Sequence, residues 1–141
     1  MTGLFDGVLN HGPLGPLTDD TAWIQAMLDA EAALARARAD TGVITRGRAE
    51  TIAAACVAAR HDPAALGRAA EGGGNPVIPL VRQLTADVRE TDPEAARHVH
   101  QGATSQDVMD TAAMLLVRRA GHALRAELAA LTQELRALAD R

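Results

Sequence analysis

Met114, Val117, Gly121, Leu124, Leu128, Leu131, Leu135 and Leu138 recur at spacings of three and four through the last part of the chain. Such a rhythm is the mark of one continuous apolar seam along a helix. A helix from Gln106 to Asp140 is about 52 Å long at 1.5 Å per residue, against roughly 30 Å for the width of a small domain. It must protrude. Its seam lies in water unless other helices cover it, and nothing else in the 141 residues is long enough to do so. The pattern therefore predicts either obligate oligomerisation or a chain cut short. The closing LRALADR, which carries no Gly or Pro stop, favours the second.

Composition narrows the rest to helix on helix. Hydrophobic residues make up 48% of the chain, but 31 of them are Ala and the only aromatic side chains are Phe5 and Trp23. A core so thin suits closely approaching helices, and the expected fold class is all-α. All 14 basic residues are Arg, which excludes a P-loop lysine, a Schiff-base lysine and a pyridoxal-type site. The net charge is −4, with no basic stripe, so nucleic acid is not an expected partner. Cys56 stands alone in the Ala-rich run Ala53 to Ala59 and reads as a small buried hydrophobe in a reducing compartment. The opening MTGLFDGVLNHGPLG has no basic start or long apolar run, and no stretch of 18 apolar residues follows. The expectation is a soluble cytoplasmic protein without a membrane partner.

Gly and Pro between Met1 and Leu17 predict an irregular lead-in, and Thr18 to Asp20 supply helix caps. Trp23, Met27, Ala30 and Leu34 then form the stripe of an amphipathic helix that stops at Thr41-Gly42. Thr45 caps a second helix with Ile52 and Cys56 inward. Asp62-Pro63 ends it and opens a third, which closes at Gly72. Gly72 to Gly74 break the chain before Asn75-Pro76, and Val81, Leu84 and Val88 mark a fourth helix. Asp92-Pro93 repeats the stop-and-restart signal.

Polar residues crowd into HVHQGATSQDVMD, His98 to Asp110, just before the long helix. The free amides of a first helical turn, the positive end of the helix dipole and the hydroxyls of Thr104 and Ser105 converge there on a volume suited to a carboxylate. His100, two residues before Gly102, is placed to donate a hydrogen bond or a proton. Thr104 or Ser105 followed by Gln106 and Asp107 is equally an ordinary helix cap, and Asp107 and Asp110 would repel an anion unless turned aside. His98 and His100 lack a third partner at recognised metal spacing, and no metal is expected. His11, His61 and His122 have no constellation around them. In GGGNP, Gly72 to Pro76, the backbone is free to approach a ligand beside Asn75, or Asn75 simply caps the next helix.

GGNPVIPLV (Gly73 to Val81) and VHQGATSQDVMDTA (Val99 to Ala112) resemble the fumarase/aspartase superfamily. The likeness is greatest to its cycloisomerase branch and runs from the helix Ala22 to Ala37 to the chain end. It implies a helical N-terminal domain, 1–104, leading into the first long helix, 105–141, of a central helical bundle, truncated here. It also implies a homotetramer built through that bundle, with three subunits around each active site. By motif, His100 is then the catalytic candidate, Thr104 and Ser105 bind substrate carboxylate, and Asn75 and Gln106 are polar neighbours. The implied substrate is a small tricarboxylate, one of whose carboxylates adds across a double bond to close a lactone, without metal or cofactor. Family members are several hundred residues long and place a second histidine motif and a serine-bearing loop farther on, so this chain alone is expected to be inactive. A sister lyase that releases fumarate, or a catalytically silent assembly module, are the alternatives.

Overall fold

Gly12 and residues 14–140 are described by a computed structural model, and among them there are seven α-helices and no strand, as the all-α expectation requires. They are α1 (Leu14–Thr18), α2 (Asp20–Asp40), α3 (Arg46–Ala55), α4 (Pro63–Ala70), α5 (Val77–Thr91), α6 (Pro93–Ala96) and α7 (Ser105–Ala139), with a 3₁₀ turn at Ala58–Arg60. The expected irregular lead-in falls largely outside the described residues, but from Leu14 the chain is already helical. Pro16 lies in the first turn of α1, where its missing N–H is no loss.

Local chemistry sets the helix starts. Asp19 accepts the Ala22 N–H at 2.8 Å to open α2, and Thr45 accepts that of Arg48 at 3.3 Å to open α3. Asp62 accepts from Ala64 at 3.0 Å before α4, and Asp92 from Glu94 and Ala95 at 2.9 and 3.0 Å before α6. α2 stops at Thr41, with Gly42 at φ +76°, a left-handed conformation that a Cβ would strain. One boundary differs from expectation: α3 ends at Ala55 instead of reaching Asp62. Gln25 of α2 bridges the break, accepting the Ala58 N–H at 2.9 Å and donating to the Cys56 carbonyl at 3.1 Å. Two of the backbone groups freed by the break are thereby satisfied inside the protein.

α2 lies at the centre and packs against α1, α3, α4, the 3₁₀ turn and α7. Its expected stripe is displaced. Of Trp23, Met27, Ala30 and Leu34 only Met27 is fully buried; the inward face is Ile24, Met27, Leu28, Glu31, Ala32 and Ala35. The reason lies in the alanines. A contact surface made of Ala lets helices come close without large side chains, so the bulkiest residues do not mark the buried face. Ile52 of α3, Leu80, Leu84 and Val88 of α5, and Val108, Ala112 and Leu116 of α7 complete the core.

α7 is part of that core only at its beginning. Arg119 makes its last polar tie, an ion pair with Asp29 of α2, and from Leu124 to Asp140 every residue is exposed. Met114 and Val117 are each 62% exposed, and the five seam leucines from Leu124 to Leu138 lie between 48% and 61%. The seam is bare, as its length required. No helix among the described residues is long and apolar enough to cross a membrane.

Candidate active site at the start of the long helix

Between α6 and α7 the chain makes a tight turn, residues 97–104, and α2 holds it from beneath. Arg38 donates through Nη1 to the His98 carbonyl at 3.0 Å and through Nη2 to Gln101 Oε1 at 2.9 Å. Seven residues earlier, two helical turns away on the same face, Glu31 meets His100: Nδ1 and Oε1 stand 2.5 Å apart. His100 has φ +58°, and a non-glycine residue persists in that region only where its surroundings over-determine it. Glu31 is 2% exposed, and its Oε2 has no hydrogen-bond partner among the described residues. An unsatisfied buried oxygen costs about 1–3 kcal/mol.

If Glu31 is ionised it can only accept, so that Nδ1 carries the shared hydrogen and in the neutral ring Nε2 keeps the lone pair. That leaves Nε2 for a ligand. His98 turns elsewhere, its Nδ1 at 3.3 Å from Gln101 Oε1. The two histidines therefore have separate partners and do not converge. Among the described residues no three His, Cys, Asp or Glu side chains group closely enough to share a metal ion.

Thr104 is the N-cap of α7 and forms a reciprocal capping box. Its Oγ1 accepts the Asp107 N–H at 3.3 Å, while its own N–H and hydroxyl donate to Asp107 Oδ2 at 2.8 and 2.9 Å. The Thr104 N–H, and then its hydroxyl, hold the Asp107 carboxyl below the usual carboxylate range. Asp107 is thus folded back onto the cap. Gln106 donates to Asp110 at 2.7 Å, and that acid too has a partner within the helix. Ser105 is half-buried, and its hydroxyl makes no hydrogen bond among the described residues. It is the hydroxyl of the pair left free for a ligand. Together with the first-turn amides that no intrahelical carbonyl satisfies, it gives this end of α7 donors for an anion.

Asn75 lies on the glycine loop that opens α5. Its Oδ1 accepts the Val77 N–H at 2.9 Å, and Gly74 takes φ +61°. Among the described residues its amide nitrogen makes no hydrogen bond, and none joins Asn75 to His100, Thr104, Ser105 or Gln106. The remaining histidines are apart from the turn: His61 is buried with Nδ1 2.9 Å from Gln83, and His122 is exposed on α7. His11 lies outside the described residues.

Sequence reasoning passed over Glu31 and Arg38, because acids and arginines in an alanine-rich helix read as a solvated face. A usable signal exists: Glu31 is seven residues after Ile24, four after Met27 and three after Leu28, which puts it on the apolar side.

The family model described as lyase matches residues 17–141. The chain belongs to this lyase family of the fumarase/aspartase superfamily. It is 50% identical over 139 residues to a 3-carboxy-cis,cis-muconate cycloisomerase of Bradyrhizobium diazoefficiens, a match covering 99% of this chain and 31% of that one. It is 46% identical over 127 residues to nitrosuccinate lyase of Streptomyces davaonensis, covering 90% and 27%. Among solved structures, 3-carboxy-cis,cis-muconate lactonizing enzyme from Pseudomonas putida superposes with a TM-score of 0.87 at 42% identity, over 90% of this chain and 29% of that one. The chain spans about a third or less of the length of these lyase-family relatives.

Proposed function

We propose that the chain is the N-terminal part of a 3-carboxy-cis,cis-muconate cycloisomerase, a cytoplasmic homotetramer in which residues 1–104 form a helical domain and 105–141 the first long helix of the bundle. The observation that carries this is the 50% identity to the Bradyrhizobium cycloisomerase across 139 residues. The geometry of the turn supports it. Ser105, the first-turn amides of α7 and His100 lie within a few residues of one another at a positive helix end, a setting matched to a substrate with several carboxylates.

The reaction is an intramolecular addition. One carboxylate oxygen of the muconate attacks a double-bond carbon, and the electron pair moves toward a neighbouring carboxylate as an enolate-like dianion. A proton then reaches the adjacent carbon to leave 4-carboxymuconolactone. Fixed donors at the developing charge lower the barrier, each by about 3 kcal/mol in comparable oxyanion sites. Ser105 and the α7 amides supply part of that field, with Thr104, Gln106 and Asn75 as polar neighbours. The proton donor comes from a part of the protein beyond this chain or from another subunit. No cofactor enters the scheme.

The 46% identity to nitrosuccinate lyase favours a second reading, elimination from a substituted succinate. Steady-state assays of the complete gene product decide between them. Lactone formation from 3-carboxymuconate is expected, and dominant elimination from nitrosuccinate, argininosuccinate or adenylosuccinate would replace the first assignment with the second.

A further inference from the structure

A glutamate on the inward face of an alanine-rich helix needs a reason, and among the described residues Glu31 has one hydrogen-bond partner: the ring of His100, Nδ1 to Oε1 at 2.5 Å. Its side chain is 1% exposed, whereas the histidine keeps 21% of its own side-chain surface open. The carboxylate is thus shut away from any substrate, and the imidazole is not. His100 also sits at φ +58°, in a turn whose backbone Arg38 clasps at the His98 carbonyl. The one helix α2 therefore fixes both the path of the turn and the orientation of the ring it presents.

We propose that Glu31 is a positioning residue for His100: by accepting the Nδ1 hydrogen it selects the tautomer whose Nε2 faces the substrate and prevents the ring from turning over. It rests on the proposed function and on His100 as its catalytic candidate. Glu31 touches no reacting atom, so its effect must pass through the imidazole, and removing it acts on kcat more than on KM. A buried acid retained only for packing would instead act on stability alone, or act on turnover whatever occupies position 100.

The test is a double-mutant cycle in the complete, assembled enzyme, with 3-carboxymuconate as substrate and thermal unfolding recorded in parallel. Glu31→Leu removes the acceptor, Glu31→Gln keeps one oxygen and the shape, and His100→Asn removes the ring. Glu31→Leu is expected to lower kcat about 10–100-fold, the scale seen when the partner that orients a site histidine is removed, with KM within about twofold. Glu31→Gln restores most of the loss. In the His100→Asn background either Glu31 change costs nothing further in kcat/KM, the signature of two residues acting as a unit. An undiminished Glu31 effect in that background overturns the proposal, as does wild-type kcat in both Glu31 variants alongside a crippled His100→Asn. If Glu31→Leu does not fold, Glu31→Met, of similar length and without an oxygen acceptor, takes its place in the cycle. Wild-type turnover by His100→Asn overturns the role of His100 itself, and the positioning role with it.

Discussion

Thr104 and Ser105 are adjacent hydroxyls with different occupations, and that difference separates capping from ligand binding. Thr104 is committed to Asp107 through three hydrogen bonds; Ser105 is not. In the complete enzyme, Ser105→Ala is expected to weaken binding of a tricarboxylate inhibitor about 10-fold or more, in line with the loss of one charge-assisted donor, with the melting temperature unchanged. Thr104→Ala is expected to lower stability by about 1 kcal/mol, the worth of an N-cap. Equal inhibitor affinity in Ser105→Ala and wild type would reduce this helix end to a cap. Asp107 has a pH signature of its own. Its folded-state pKa lies below the ordinary value, so its contribution is present above about pH 4, the unfolded range, and disappears as the pH falls through the lower folded value. Asp107→Asn should therefore melt earlier than wild type at pH 7, with the two curves converging in strong acid. Cys56 is the opposite case. Burial first, then the negative charges of Glu31 and Asp29, push its thiol up to about 12, so in the folded protein alkylation at pH 8 should be undetectable until the chain unfolds.

At the scale of elements, the starts of the helices after α1 were written locally and could be read. Asp62-Pro63 and Asp92-Pro93 are self-contained signals, and the structure places α4 and α6 directly after them. What could not be read was the face α2 turns inward, since that depends on which helices arrive against it. Alanine carries the contact without raising the apolar contrast of the stripe, and Glu31 looks like a surface acid until the turn at His100 is folded over it. The same logic hid Arg38. The seam of α7 was legible because leucine at spacings of three and four is unambiguous, and its exposure followed from length alone. Replacing Leu131 and Leu138 with Asp puts charge into the proposed bundle and is expected to break the assembled protein into smaller species in sedimentation velocity, while the helical signal of the 14–116 core remains. Unaltered assembly would show that another surface joins the subunits.

On the scale of the molecule, this chain is a platform: α2 at the centre, a capped turn at one end and a bare helix leading away from it. The matches to a cycloisomerase at 50% and to nitrosuccinate lyase at 46% show that relatives named for different reactions share this part. At the sequence level the family and its motif were legible, because the turn and its cap are contiguous residues. The contribution of α2 to that turn was not, since Glu31 and His100 are 69 residues apart and only the tertiary fold brings them together. The most direct measurement is a crystal structure of the complete enzyme with a tricarboxylate inhibitor. An inhibitor carboxylate is expected about 2.7–3.1 Å from Ser105 Oγ and the first amides of α7, with His100 Nε2 turned toward the ligand. An inhibitor bound elsewhere, with the start of α7 facing only its own side chains, would contradict it.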